Sequence, residues 1–280
     1  MDSKGWMMLK VLINRFNPKA GDTLIKFLPQ EETPSVTSQD IRSNDLLPLL
    51  YQSQRTLDKT HYSWLVPLIT KFPEPLRPFV ISSLLPEQQA GLTQENTGTY
   101  VSPPVKNFLR NQLYRHLKAN QHLPLEYIPE TDFSPLLQWK KRELVRLIDF
   151  LGMHDLAFEI RGIVNKNYLK NLYSCLSPKE LYYLKVCLHQ KERLVSPKLG
   201  IDPTKQDCPR LRQVLHRRGL IRLGKALAGQ HADLVWYIAH ALDTGRGRLL
   251  LRYYQPHPIP NVTPILKQQV FNVITFMKKE

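Results

Sequence analysis

Few residues in this chain stand at spacings that could do chemistry. Gly219-Leu220-Ile221-Arg222-Leu223-Gly224-Lys225-Ala226 carries the glycine and lysine spacing of a phosphate-binding loop. In such a loop the backbone N–H groups cradle phosphates, and a Ser or Thr after the lysine ligates magnesium. Ala226 stands where that hydroxyl belongs, and residues 211–218 before it read as helix rather than strand. His154-Asp155 has the look of a metal phosphohydrolase pair, but a hydrolytic metal site needs three or more converging ligands. His240, Asp243 and Arg246 stand about one helical turn apart and read as a side-chain ladder along a helix surface. Cys175, Cys187 and Cys208 form no CxxC pair, and no histidine is spaced to complete a zinc site. An odd, sparse set of cysteines argues against a disulfide framework and fits a reducing compartment. Cys175 and Cys187 are expected to pack as small apolar groups. The expectation is therefore no catalytic residue, no metal and no cofactor, and a protein that is not an enzyme.

What stands out instead is charge. The chain of 280 residues has 39 basic and 24 acidic side chains, a net of +15. Residues 1–135 hold 14 Lys/Arg against 13 Asp/Glu, and residues 136–280 hold 25 against 11. The second half is one basic body, which favours an acidic protein surface, anionic lipid or nucleic acid as partner. Two clusters dominate it: Arg210, Arg212, His216, Arg217, Arg218, Arg222 and Lys225, and then Arg246, Arg248 and Arg252. In the first, Leu211, Val214, Leu215, Leu220, Leu223 and Leu227 supply an apolar side, so the cations are expected on the opposite face. Arg217, Arg218, Arg222 and Lys225 are expected to form one exposed surface. A DNA-reading helix has the same profile. An acidic protein partner is favoured because leucines interleave with the cations and the face offers no base-reading Asn or Gln.

The elements that must position these residues read as helices. Hydrophobic residues make up 42% of the chain, enough for a packed core. No run approaches the roughly 20 apolar residues that span a bilayer. Residues 1–16 contain Trp6, Met7, Met8, Leu9, Val11, Leu12 and Ile13, but Lys10 breaks the run and no small-residue cleavage site follows, so a buried or docking segment is expected. Residues 17–45 read as a linker or a mobile loop. Helical spacing follows over 41–51, from about Thr60 past Pro67, and over 79–85 and 105–117, with a loop at 91–104. Three prolines mark 118–135 as a second linker and the domain boundary. Beyond it, helices are expected over 136–151, 157–164, 166–176, 211–227 with interruptions at Gly219 and Gly224, 231–242 and 265–277. Ser177-Pro178-Lys179-Glu180 is a strong helix start, with Ser as N-cap, Pro in the first turn and an acid at the third position. Gly245 to Arg248 is expected to end or break a helix. The fold class is all-α, an array of short helix pairs in armadillo-like modules. The parts are a docking segment and linker at 1–45, a helical domain at 46–117, a linker at 118–135 and a basic helical domain at 136–280.

Residues 61–92, HYSWLVPLITKFPEPLRPFVISSLLPEQQAGL, resemble the middle domain of the flagellar rotor switch family, FliG. There a His-containing helix start leads into an apolar helix and then a helix ending in Leu-Pro-Glu; Ile81 to Ala90 is the nearest stretch. Arg222-Leu223-Gly224-Lys225-Ala226-Leu227 with the helix after His231 loosely resembles the family's C-terminal module. The paired acidic and basic pattern of a torque helix is not evident, and the spacings between modules are shorter. The resemblance is therefore to the FliG-like proteins of type III secretion injectisomes, comparable to the SctK sorting-platform adaptors. It implies an adaptor at the cytoplasmic face of the bacterial inner membrane. That adaptor would bridge a membrane-ring component and cytoplasmic-complex proteins of the secretion apparatus.

The expected partner-binding residues are Phe79, Leu84, Leu85 and Glu87 in the first half. In the second they are Arg217, Arg218, Arg222, Lys225, Arg246 and Arg248. Leu84 and Leu85 precede Pro86 and so end a helix, where apolar side chains can project. No stable nucleic acid is expected, and peripheral contact with the inner membrane is allowed for. The alternative function is a nucleic-acid-binding regulator that uses 210–225.

Overall fold

The computed structural model describes residues 3–38, 51–93, 99–190, 194, 197–200 and 207–279. Among them are fifteen α-helices, four short 3-10 helices and no strand, as the helical spacing of the apolar residues requires. No helix among the described residues is long and apolar enough to cross a membrane. Most of the helix expected over 41–51 lies outside the described residues. The chain forms two compact units, Met1–Leu137 with His231–Thr244, and Gln138–Gln230 with Gly245–Glu280.

The first unit opens with α1 (Ser3–Phe16), α2 (Gly21–Ile25) and α3 (Thr33–Thr37). Trp6, Ile25 and Val36 form a small core backed by Leu9, Ile13 and Leu28. The N-terminal segment is thus buried through Met7 and Val11, and part of the linker expected at 17–45 is helical and packed on it. Next come α4 (Gln52–Lys59), α5 (Tyr62–Ile69), α6 (Arg77–Ser82), α7 (Pro86–Leu92) and α8 (Pro103–His116). The His61 imidazole caps α5 by accepting from Ser63 N–H. Leu57, Leu65, Val80, Leu84 and Leu113 lie in the main core of this unit. Gln88, buried, donates to the carbonyls of Leu57 and Thr60 at 2.7 and 2.8 Å and fastens α7 to the end of α4.

Residues 118–135 are packed rather than linking. Leu123, Tyr127, Ile128 and Phe133 are buried, and two 3-10 turns run through Ala119–Gln121 and Leu125–Tyr127. Proline blocks a continuous α-helix here but leaves the side chains between free to enter a core. The helix expected over 231–242 (α13, Ala232–Ala241) belongs to this first unit, not to the basic domain in which the sequence reading placed it. Leu234, Val235, Tyr237, Ile238 and Ala239 are all buried, which a helix apolar on so many sides demands.

The second unit is built around α9 (Lys141–Ile160), with α10 (Lys166–Ser174), α11 (Pro178–His189), α12 (Cys208–Ala226), α14 (Thr244–Tyr253) and α15 (Thr263–Lys278). The start of α11 has Ser177 as N-cap, as expected, and the cap is reciprocal: Ser177 Oγ accepts from Glu180 N–H, and the Glu180 carboxylate accepts from Ser177 N–H at 2.7 Å. Gly219 and Gly224 do not interrupt α12. They are where neighbouring backbone comes closest: a Cβ on Gly219 would sit 1.8 Å from the Ile148 carbonyl oxygen, and one on Gly224 would sit 3.0 Å from that of Leu250. Gly152 on α9 makes the reciprocal notch, facing the Leu215 carbonyl. Gly245 to Arg248 lie inside α14 rather than breaking a helix, and Gly247 is buried.

Candidate functional site

The expected basic face of α12 does not hold together. Arg217 is exposed, and Arg218 is half-buried with its guanidinium donating to the carbonyls of Pro197 and Lys198, both at 3.1 Å. Lys225 is half-buried. Arg222 is only 5% exposed and points inward. Counted from Leu215, the positions 215, 219, 222 and 226 recur at four, three and four, which is one helical stripe, and all four are buried. The spacing 218, 222 and 225 is also helical, but its middle member lies on the inward stripe. Arg222 Nη2 donates to Asp155 Oδ1 and Nη1 to Gln269 Oε1, each at 2.6 Å, tying α12 to α9 and α15. A buried guanidinium is tolerable only with such partners.

The His154-Asp155 pair resolves in the same way. Asp155 is committed to Arg222, and His154 Nε2 lies 3.1 Å from the Tyr183 hydroxyl on α11. Burial, with the Arg222 charge adding to it, holds the His154 pKa down at about 3, so the ring is neutral near pH 7. No group of three or more His, Cys, Asp or Glu among the described residues is placed to hold a metal. The Gly219–Ala226 stretch lies within or at the end of a continuous helix, so it presents no loop to a phosphate. Cys175 and Cys208 are joined by a disulfide between the end of α10 and the start of α12, against the expectation of unpaired cysteines. The two are 33 positions apart, and sequence gives no local signal for such a pairing. Cys187 is not disulfide-bonded and is buried, as expected.

The single helix expected to carry His240, Asp243 and Arg246 is not formed: α13 ends at Ala241, and Arg246 lies in α14. His240 instead stacks between Trp236 and Trp64, at 3.8 and 4.1 Å between ring centroids, and Trp236 stacks on His122 at 4.4 Å. The His240 pKa falls to about 4, chiefly through burial. At the far end of the stack, Asp233 accepts from His122 Nδ1 at 2.6 Å and from Leu123 N–H at 3.0 Å. Burial works to raise the Asp233 carboxyl, but these hydrogen bonds outweigh it and the pKa falls. Sequence reasoning missed this column, since its members come from three separate segments of the first unit.

Of the residues expected around the Leu-Pro-Glu stretch, Leu84 is 1% exposed and sits in the core of the first unit. It is a core leucine and no docking side chain. Leu85 is half-buried as the N-cap residue of α7, Glu87 is exposed in its first turn, and Phe79 is 39% exposed on α6. In the second unit Arg246 is half-buried and donates from Nε to His216 Nε2 at 2.7 Å, while Arg248 is exposed.

The acidic residues of the second unit share one property. Asp155 meets Arg222, and Asp149 meets His216 Nδ1 at 2.6 Å. Glu143 accepts from Lys140 N–H, Glu159 from Leu199 N–H, Glu180 from Ser177 N–H and Asp207 from Arg210 N–H. Each acidic side chain among the described residues of this unit is thus engaged within it. Glu143 and Asp207 remain exposed, but exposed cations such as Arg142, Lys179, Arg217, Arg248, Arg252 and Lys279 outnumber them. Comparison with protein-family models, with curated proteins and with solved structures finds no match.

Proposed function

We propose that this protein is a structural adaptor that holds other proteins in place, with an acidic protein surface as the partner of its second unit. The observation that carries the reading is the internal engagement of the acids. Six carboxylates that would interleave with the cations are spent on helix caps, a backbone amide and buried or partly buried pairs. Among the described residues the exposed charge left behind is mostly positive, with Glu143 and Asp207 tied to helix starts, and a surface of such a balance steers an oppositely charged partner and disfavours like-charged ones. The resemblance of 61–92 to the flagellar rotor switch family directs the proposal to a type III secretion apparatus. The partners there would be a membrane-ring component and cytoplasmic-complex proteins. In that reading helix pairs of armadillo-like character supply rigid spacing rather than chemistry.

The test compares wild type with an Arg217→Glu/Arg248→Glu/Arg252→Glu variant, all at exposed positions. Both are crosslinked in native membranes and purified. Recovery of ring and cytoplasmic-complex proteins with the wild type, lost in a variant of unchanged circular dichroism, is the expected result. A variant-sensitive crosslink to nucleic acid would overturn the proposal. Its signature is an affinity that falls by about 0.9 log unit per log unit of salt for each phosphate neutralised.

A further inference from the structure

The second unit carries a trench that none of the expected binding residues line. Two depressions, of about 370 and 620 Å³, share Gln190 and Asn272 and so run together along α11 and α15, with His154, Ala157 and Arg161 at the end of α9 also lining the first. The α15 wall is one helical face: Ile265, Gln269, Asn272, Phe276 and Lys279 follow at spacings of four, three, four and three. At 1.5 Å per residue that face is about 21 Å long, roughly four turns. Lys179, Tyr183, Val186 and Gln190 repeat the same spacing on α11.

The trench is graded along its length. Near one end Phe276 packs against Tyr182 and Tyr183, with ring centroids 5.9 and 4.8 Å apart, and Tyr182 is 62% exposed. Toward the other end the walls turn to carboxamides, with Gln268 Nε2 donating to Asn272 Oδ1 at 3.0 Å. Lys179 and Lys279 stand exposed at the aromatic end and Arg161 at the other, and among the described residues no Asp or Glu lines either depression. A third depression continues from Lys179 past Arg142, Arg146 and Lys278, with Glu143 the one carboxylate among its described lining.

We propose that this trench receives an amphipathic helix of a partner protein, with an apolar stripe that packs on Val186, Tyr182 and Phe276 and carboxylates that meet Lys179 and Lys279. Two helical walls present ridges that a third helix can fill, the geometry of helix-in-groove recognition. Among the described residues no lining carboxylate offsets Lys179, Lys279 and Arg161, which makes the site complementary to acid. A phosphate backbone would need cations along the whole path, whereas the middle of the trench is apolar and carboxamide. A bilayer surface cannot enter a concave slot between two helices.

This inference rests on the protein-binding reading above, yet the two can fail separately. A phage-displayed library of peptides about 16 residues long, roughly four and a half turns, is selected on the immobilised full chain. Enriched peptides should carry apolar residues at i, i+4, i+7 and i+11 beside Asp or Glu. A labelled winner should bind the wild type by fluorescence anisotropy. It should bind about tenfold more weakly to Tyr182→Ala and to Lys179→Glu/Lys279→Glu. No enrichment, or winners that bind these variants as well as wild type, would overturn the trench. So would labelled oligothymidine or phosphatidylglycerol vesicles that bind with the same sensitivity to the variants. If apparatus proteins still crosslink to Lys179→Glu/Lys279→Glu but not to the Arg217/Arg248/Arg252 variant, the adaptor stands and the trench falls.

Discussion

Replacing Arg222 with alanine should unfold the second unit far more readily than replacing Arg217, five residues earlier on the same helix. The Arg222 and Asp155 side chains are 6% and 4% exposed, with Nη2 and Oδ1 2.6 Å apart. Arg222→Ala leaves the Asp155 carboxylate buried without its countercharge and removes the donor that meets Gln269 Oε1. Breaking one side of a buried pair costs about 3–5 kcal/mol, a large share of the roughly 5–15 kcal/mol that stabilises a domain. The melting temperature should fall by roughly 10 °C. Arg217 is exposed, so Arg217→Ala should stay within about 0.5 kcal/mol of wild type. Urea titration followed by circular dichroism measures both. The double variant Arg222→Met/Asp155→Leu should recover most of the loss, because it replaces an ion pair by apolar groups of similar size and strands no charge. Equal midpoints for Arg222→Ala and Arg217→Ala would refute the inward placement of Arg222, and with it the account of how α12 sits on α9.

Three further outcomes are expected. Gly219→Ala should destabilise by about 2 kcal/mol or more through forced separation of α12 from Ile148, while Gly162→Ala, whose Cβ would meet nothing closer than 3.6 Å, should be neutral or mildly stabilising by differential scanning calorimetry. His154 and His240, with folded pKa values of about 3 and 4, bind fewer protons folded than unfolded. Their contribution is therefore fully present above about pH 6.5 and is lost as pH falls toward 4, at up to about 1.4 kcal/mol per pH unit for each; urea midpoints across that range should drop, and less steeply in His240→Gln. Under oxidising conditions the unfolded chain should titrate with one free thiol, that of Cys187, and with three after reduction. Cys208→Ser should cost about 3.7 kcal/mol by loop-closure entropy over 33 residues.

Much of the helical content is written in local spacing. Leu144, Leu147, Ile148 and Leu151 mark α9, and Ser177 with Glu180 marks the start of α11; both need only neighbours within a turn or two. The bias of charge toward the second half is likewise a property of composition. The candidate site was less legible. Whether a cation on α12 faces water or the core depends on a carboxylate 67 positions away, and no local pattern announces that Asp155 lies opposite Arg222. Gly219 and Gly224 read as breaks because glycine weakens an isolated helix, and only the approach of Ile148 and Leu250 turns them into contact points. The same holds for α13, whose apolar residues declare that it must be buried without saying in which core. Helix formation is settled by interactions three and four residues apart, so sequence determined the elements of this protein. Burial, pairing and the trench between α11 and α15 depend on residues brought together from distant parts of the chain, and those were decided only by the tertiary structure.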